Sequence, residues 1–224
     1  MSETGSPQMK LDLSLAPVYR EEDFLVSACN SEAFGWLDRW PEWRASGLIV
    51  CGPPGSGKTH LAEIWRNKAQ AKLMDGRGLI SSQDGLRDFR ESVVIEHAEE
   101  ADDRALLRIY NGVVEHKKSI LLTATSEPQF WAVPLADLRS RLMALPAVKI
   151  SEPDDLLLQA LLVKQFSDRQ IHIEVSVIRY LVERMERSFY MVRRLADELD
   201  AMAFREKRKI TTVLASKALD KLMN

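Results

Sequence analysis

Residues 52–59 read GPPGSGKT, which matches the phosphate-binding pattern G-x-x-x-x-G-K-[ST]. The apolar run 47–52 predicts a buried strand before this stretch, and the apolar spacing of 58–71 predicts a helix after it. Glycines in such a loop let backbone N–H groups point at phosphate oxygens, and the helix N-terminus adds positive potential. The sequence therefore predicts a nucleotide site whose contacts are Gly52, Pro53, Pro54, Gly55, Ser56, Gly57, Lys58, Thr59 and His60.

Two residues of this loop have predicted chemical roles. Lys58 would reach the β- and γ-phosphates, and the Thr59 hydroxyl would hold Mg²⁺. The alternative is a glycine-proline turn that binds no ligand. The strand, the glycines, Lys58 and Thr59 are all in register with the pattern, which favours the nucleotide site.

The composition of the chain is that of an ordinary folded protein. Of its 224 residues, 46% are hydrophobic and 29% are charged, and the formal net charge is −2. This balance does not indicate nucleic-acid binding. Two cysteines, Cys29 and Cys51, are too few for a disulfide framework. The N-terminus lacks the apolar core of a signal peptide, and no apolar run approaches the roughly 20 residues that cross a bilayer. We expect a cytoplasmic protein without membrane contact.

Apolar patterning divides the chain into three parts. Predicted strands at 47–52, 78–82, 92–97, 119–126 and 147–151 alternate with predicted helices at 30–43, 58–71, 101–117 and 135–145, which predicts a parallel sheet with helices on both faces. After about residue 150 the pattern is helical only, at 152–169, 176–185, 188–207 and 211–222. We therefore expect a flexible segment 1–17, an α/β nucleotide-binding domain 18–151 and a small all-helical domain 152–224.

The stretch GPPGSGKTHLAEIW (52–65) resembles the Walker A segment of the DnaA-type AAA+ proteins. Within that superfamily the chain is most similar to the Hda family, the regulators of the replication initiator DnaA, over nearly its whole length. The resemblance implies a P-loop AAA+ core with a helical lid, and a bound ADP or ATP with Mg²⁺. DnaA continues past its lid into a DNA-binding domain whereas this sequence stops at Asn224, so we expect no direct sequence-specific DNA binding.

The N-terminal stretch QMKLDL (8–13) resembles the peptide with which Hda-like proteins bind the replicative sliding clamp. Gln8 would enter a polar site, and Met9, Leu11 and Leu13 would fill apolar pockets. Met9 departs from the family pattern, which has leucine there. The alternative is a strand that pairs with the core sheet.

The stretch VVIEHAEE (93–100) occupies the place of Walker B. By the family pattern Glu96 would serve Mg²⁺, partly through water. His97 stands where an acid would orient the attacking water, and an imidazole with an ordinary pKa of about 6.5 is a poor substitute. Glu99 and Glu100 would face elsewhere unless the loop folds back. We expect nucleotide binding with little intrinsic hydrolysis, and the alternative is that Walker B lies elsewhere.

Two further stretches resemble the sensor motifs of the family. LLTATSEP (121–128) would place Thr125, or next Thr123, near the γ-phosphate, although a β-branched core strand explains both residues nearly as well. MVRRLADEL (191–199) would place Arg193 against the phosphates. Arg194 would point about 100° away around the helix. The alternative for Arg193 is a solvent-facing lid residue.

LADLRSRL (135–142) resembles the segment that carries the arginine finger, which by the family pattern is Arg141. Its guanidinium would act in trans, on nucleotide held by a neighbouring subunit. Arg139 is the alternative finger. A surface arginine paired with Asp137 or Glu152 is the alternative to a finger.

The resemblance implies an adaptor that carries nucleotide, in particular ADP. It would bind the sliding clamp, which is the β subunit of DNA polymerase III, and stimulate ATP hydrolysis by DnaA, so that replication does not re-initiate. The sequence leaves a homodimer open, and also whether the chain is itself an enzyme. An AAA+ helicase loader or DNA-remodelling ATPase is the second hypothesis, and a small-molecule P-loop kinase fits poorly. The family lines its adenine pocket with the lead-in around residues 24–26 and with the start of the lid, and residues without ligand contact are an equally good interpretation there. Trp36, Trp40, Trp43 and Cys51 are interpreted as core.

Overall fold

The computed structural model describes residues 21–81 and 89–223. In this part of the chain one parallel sheet has the strand order β2-β3-β4-β1-β5. This confirms the predicted parallel α/β architecture. The strands are Gly47–Cys51 (β1), Lys72–Asp75 (β2), Val93–Glu96 (β3), Ile120–Ala124 (β4) and Ala147–Lys149 (β5).

Four helices pack on the sheet, and four further helices follow the last described strand. Those of the α/β part are Ser31–Asp38 (α1), Lys58–Ala69 (α2), Asp103–Glu115 (α3) and Ala136–Ala144 (α4). Those of the C-terminal part are Asp155–Asp168 (α5), Val175–Val182 (α6), Phe189–Glu206 (α7) and Thr212–Met223 (α8). The change from α/β to all-helical structure therefore falls between Lys149 and Asp155.

The prediction of a strand at 78–82 is wrong for residues 78–81, the part of it that the structure describes. The second strand lies earlier, at Lys72–Asp75, and the segment Gly76–Gly78 after it is a 3₁₀ turn. This strand is at the edge of the sheet, and its side chains are mostly exposed. An edge strand needs no continuous apolar run, so KLMD carries no clear strand signal.

The first helix is shorter than predicted. It ends at Asp38 rather than at residue 43. Pro41 lacks a backbone N–H and cannot continue a helix, which explains why the apolar pattern overshoots. Asn30 is its N-cap residue, but the Asn30 side chain bonds to the preceding loop, where it accepts from Ser27 N and donates to Leu25 O.

Both faces of the sheet are buried. Ile49, Ile95 and Leu122 pack towards α3 and α4 on one face, in one hydrophobic cluster. On the other face the strands pack on α1 and α2 around Trp65, which is fully buried. The ring of Trp43 stacks on that of Trp65 with a centroid separation of 5.4 Å. Trp36, Trp40 and Trp43 are partly buried and pack against this cluster, so they lie at the edge of the core, whereas the sequence predicts them within it.

The C-terminal helices have their own hydrophobic core, to which Phe166, Leu181, Leu195 and Leu214 contribute. Phe189, the first residue of α7, instead belongs to the cluster on the α2 face of the sheet. The helical part is thus packed onto the sheet domain at the start of α7. Within the described residues, no helix has the length and apolar character that a membrane crossing requires.

Candidate nucleotide site

The loop between β1 and α2 has the conformation that phosphate binding requires. Gly55 and Gly57 have φ values of +79° and +91°, in the left-handed region where a side chain would be strained. Lys58 Nζ donates to the carbonyl oxygens of Gly52 and Pro53 over 2.8 and 2.9 Å. The Lys58 side chain therefore reaches back across the loop to its first two residues, which places the ammonium on the inner side of the loop.

The loop is enclosed from two directions. A Cβ atom at Gly55 would lie 3.3 Å from Phe189 Cβ, at the start of α7. A Cβ atom at Gly57 would lie 3.1 Å from the ring of Phe24. The same ring meets His60 edge-on, with centroids 5.3 Å apart. The rings of Phe24 and His60 therefore lie side by side next to the loop. Phe24 belongs to the lead-in segment, where the family resemblance suggests the adenine pocket, and His60 belongs to α2.

Two polar groups in the loop are shielded from solvent: Lys58 is half-buried and Ser56 is buried. Burial lowers the pKa of Lys58, and the nearby carboxylates of Glu99 and Glu96 oppose this shift, Glu99 more strongly. The Ser56 hydroxyl is buried and has no hydrogen-bond partner among the described residues. A buried hydroxyl without a partner is unfavourable, so a loop of this kind fits an oxygen-rich ligand such as a phosphate chain.

A hydroxyl and a carboxylate meet at the end of β3. Thr59 Oγ1, in the first turn of α2, donates to Glu96 Oε1 over 2.6 Å. Both are hard oxygen donors of the kind that Mg²⁺ prefers. The residues present therefore fit a magnesium ion, which Thr59 would ligate and Glu96 would hold directly or through water.

His97 points away from this pair. It has φ of +51°, and its Nδ1 lies 3.2 Å from Oδ1 of Asp75, at the end of the edge strand β2. Asp75 also accepts hydrogen bonds from Arg77, and these hold the pKa of the Asp75 carboxyl well below its usual range. The imidazole thus belongs to a polar cluster at the sheet edge.

Glu99 is a site residue that the sequence patterns did not single out. The loop folds back through the 3₁₀ turn Ala98–Glu100, which is the condition under which Glu99 could face the site. Glu99 Oε1 accepts hydrogen bonds from Thr125 N over 2.6 Å and from Thr125 Oγ1 over 2.7 Å. Thr125 follows β4 and is exposed, whereas Thr123 is buried inside the sheet. A second acid three residues after Glu96 was the signal available in the sequence.

The two arginines of α4 have different partners. Arg141 Nε donates to Asp137 Oδ1 over 2.9 Å, an exposed pair one helical turn apart. Arg139 donates through Nε and Nη2 to the carbonyl oxygen of Val133, over 3.0 and 2.6 Å. Arg139 therefore fixes the loop before the helix. Arg141 pairs with an exposed carboxylate, and its guanidinium lies 5.6 Å from the centroid of the Tyr110 ring.

Arg193 lies one helical turn after Phe189, the residue that contacts the phosphate loop. It is exposed, and its guanidinium forms no hydrogen bond or ion pair with a side chain in the described part of the chain. The Arg194 guanidinium instead lies over the Tyr190 ring, 5.6 Å from its centroid. The structure thus brings the loop, Glu96, Glu99, Thr125 and the start of α7 together. Gln8, Met9, Leu11 and Leu13 are outside the described residues.

Comparisons with known proteins concern the fold of the chain and its C-terminal helical part. Residues 154–219 match the family model of the lid domain of Hda. Domain III of the Thermotoga maritima replication initiation protein DnaA is similar in structure, with 19% identity and a TM-score of 0.77, over 92% of this chain and 98% of that chain. No curated protein sequence matches the chain.

Two other solved structures have the same fold. The Thermotoga maritima RuvB Holliday junction branch migration motor is 19% identical with a TM-score of 0.65, over 79% of this chain and 62% of that chain. The replication initiator DnaA bound to AMPPCP and single-stranded DNA is 17% identical with a TM-score of 0.63, over 84% of this chain and 68% of that chain. The predicted fold class is thereby confirmed: a parallel α/β core with the fold of DnaA domain III is followed by a small all-helical part that matches the Hda lid.

Proposed function

We propose that this chain, a DnaA-related AAA+ protein with a lid of the Hda type, is a nucleotide-bound adaptor that stimulates ATP hydrolysis by DnaA. In this proposal it works in the cytoplasm, carries ADP and binds the replicative sliding clamp. Its effect is to limit re-initiation of DNA replication. The observation that carries the proposal is the match of residues 154–219 to the Hda lid, attached to a core that resembles DnaA domain III.

Nucleotide binding is supported by the geometry of the phosphate loop. The glycine-rich backbone would contact the phosphate oxygens, and Lys58 would exchange its carbonyl partners for them. Thr59 and Glu96 would hold Mg²⁺, which supplies charge neutralisation to the phosphates when it is bound. Arg193 would add a contact from the lid, because it lies one turn from the residue that touches the loop.

Low intrinsic hydrolysis is supported by the direction of His97. Its ring is directed at Asp75, so position 97 supplies neither an acid nor an imidazole to the side of the loop. A general base has to lie within hydrogen-bond reach of the water that it activates. The proposed role does not require the chain to hydrolyse its own nucleotide.

Stimulation of DnaA would come from Arg141. An exposed ion pair such as Arg141–Asp137 is worth only about 1 kcal/mol or less, so a phosphate on a neighbouring subunit can replace the carboxylate. An arginine supplied in trans accelerates phosphoryl transfer by about 10³–10⁵-fold in other systems. Arg139 suits this role less well because the Val133 carbonyl already holds its guanidinium.

A second candidate function is an AAA+ DNA-remodelling ATPase or helicase loader that hydrolyses its own ATP. Two observations support this function. The fold is shared with RuvB, whose name identifies a branch migration motor. In addition, the Glu99 carboxylate lies beside Thr125, where an acid could contact an attacking water.

The two functions are separated by one reconstituted assay. The purified chain is loaded with ADP and mixed with DnaA carrying labelled ATP and with sliding clamps loaded on DNA, and labelled ADP is followed over time. Arg141→Ala and Gln8→Ala are each expected to abolish the stimulation. Arg179→Ala is the matched control, because it removes an exposed arginine from α6 in the lid.

The adaptor function predicts hydrolysis that requires the clamp, Gln8 and Arg141. If DnaA keeps its ATP while this chain alone turns over ATP, the adaptor function is wrong and the second candidate replaces it. Equal loss of stimulation in Arg179→Ala would show that the Arg141 effect is not specific.

A further inference from the structure

The Glu99 carboxylate is hydrogen-bonded to the backbone N–H and the hydroxyl of Thr125, two donors that the γ-phosphate of a triphosphate could also use. One of its carboxylate oxygens accepts two short hydrogen bonds from Thr125, from the backbone N–H and from the hydroxyl. Its other oxygen, Oε2, is buried and has no hydrogen-bond partner among residues 21–81 and 89–223. The carboxylate is therefore anchored by one oxygen and leaves the other unsatisfied in a buried place.

That place lies beside the phosphate loop. β4 pairs with both β1 and β3, so Thr125 at the end of β4 lies between the loop after β1 and Glu96 at the end of β3. Of the carboxylates that act on the Lys58 ammonium, Glu99 has the largest effect. Because the lysine of such a loop reaches the β- and γ-phosphates, the Glu99 charge lies on the γ side of the site.

We infer that Glu99 selects the nucleotide: its carboxylate competes with a γ-phosphate for Thr125 and Lys58, so that the chain retains a diphosphate in preference to a triphosphate. This inference rests on nucleotide binding as proposed above and gives a residue-level cause for an ADP-bound adaptor. It assigns Glu99 a role in binding specificity and none in bond breaking.

The competition follows from charge. ADP ends at the β-phosphate and leaves the Glu99–Thr125 contact intact, and the Lys58 ammonium is shared between the two anions. ATP adds a second anionic group at the same donors. Like charges close together repel, so either the γ-phosphate or Glu99 has to give up its contacts. ATP binding is thus weakened relative to ADP binding.

Equilibrium binding tests the inference without any hydrolysis. Dissociation constants for ADP and for AMPPCP, a triphosphate analogue, are measured by isothermal titration calorimetry with Mg²⁺ present. Glu99→Gln keeps the size of the side chain and an acceptor oxygen but removes the charge. Glu100→Gln is the matched control, because Glu100 is the exposed neighbour whose charge acts on Arg77.

The wild-type chain is expected to bind ADP more tightly than AMPPCP. Glu99→Gln is expected to raise the affinity for AMPPCP relative to ADP by about tenfold or more, the value of a hydrogen bond to a charged group. Glu100→Gln is expected to leave the ratio unchanged. Thermal unfolding of each variant verifies that it is folded.

An unchanged ratio in a folded Glu99→Gln variant would overturn the inference while the proposed function stands. The inference would also be overturned if the ratio is unchanged and single-turnover ATP hydrolysis is lost, since Glu99 would then be a water-activating acid. If the wild-type chain binds neither nucleotide, this inference and the proposed function fail together. If binding behaves as expected but DnaA is not stimulated, only the proposed function fails.

Discussion

The hydroxyl of Thr59 donates to the carboxylate of Glu96 over 2.6 Å, which joins the first turn of α2 to the end of β3. The two residues are 37 positions apart in the chain. The parallel arrangement of β1 and β3, with β4 between them, brings their carboxyl ends to one edge of the sheet. The fold thus brings together two oxygen groups of the kind that a divalent cation prefers.

Removing the Glu96 carboxylate should reduce the contribution of Mg²⁺ to nucleotide binding. In Glu96→Gln the gain in ADP affinity on adding Mg²⁺ is expected to fall by roughly 10–100-fold, the usual cost of losing an outer partner of a metal site. Titration calorimetry with Mg²⁺ and with a chelator measures this gain. Glu115→Gln, an exposed change at the end of α3, should keep the full gain. Equal gains in all three proteins would place the metal elsewhere.

His97 should be dispensable for hydrolysis, because its ring faces Asp75. His97→Asn is a suitable change since asparagine tolerates the left-handed backbone found at this position. Single-turnover measurements with labelled ATP are expected to give the same slow rate as the wild-type chain. A marked fall in rate would show that His97 reaches the nucleotide during turnover.

The Asp75 cluster should make stability depend on acidic pH. Its folded-state pKa is depressed by hydrogen bonds from Arg77, so its stabilisation is present above the unfolded-state value of about 3.9 and is lost as pH falls towards the folded-state value. Asp75→Asn is expected to lower the free energy of unfolding at pH 7 by less than about 1 kcal/mol, because the pair is exposed. Urea unfolding from pH 7 to pH 3.5 should show this difference shrinking. A difference that grows on acidification would contradict the assigned direction.

The two cysteines should differ in reactivity. Cys51 is buried in β1, burial raises its thiol pKa, and the thiol lies 3.3 Å from the Val148 carbonyl oxygen to which it donates. Cys29 is only half-buried. Iodoacetamide at pH 8 is expected to label Cys29 in the native protein and Cys51 only after unfolding, as read by mass spectrometry of peptides. Native labelling of both at similar rates would indicate that β1 opens readily.

Replacing Arg139 should affect mainly the stability of the fold, and replacing Arg141 should affect mainly the stimulation of DnaA. Arg139→Ala removes two hydrogen bonds to the Val133 carbonyl and is expected to cost about 1 kcal/mol of unfolding free energy. Arg141→Ala should lower the urea midpoint only slightly, because it loses an exposed ion pair with Asp137 and a cation–π contact with the Tyr110 ring, 5.6 Å from the ring centroid. If Arg141→Ala were the more destabilised variant, its effect on DnaA could not be assigned to phosphate contact.

Local signals allowed the phosphate loop, β1 and α2 to be predicted from the sequence. The apolar run into GPPGSGKT is specific, and its meaning does not depend on distant residues. The edge strand β2 could not be found, because KLMD is mostly exposed and has no apolar run. The direction of the His97 ring depends on the left-handed backbone of His97 itself. The position of Glu99 depends on its contact with Thr125, 26 residues further along the chain. Neither follows from local patterning.

The contact between the phosphate loop and the start of α7 means that a movement of the loop would be carried along this helix to its other end. A Cβ atom at Gly55 would be in tight contact with Phe189, at 3.3 Å, so a change in the shape of the loop would be transmitted to the start of the helix. The helix has 18 residues and is therefore about 27 Å long. A tilt of roughly 10° at Phe189 moves the far end, at Glu206, by about 5 Å. If the loop changes shape with the nucleotide, a protein bound at the far end of α7 would respond to that change without touching the nucleotide.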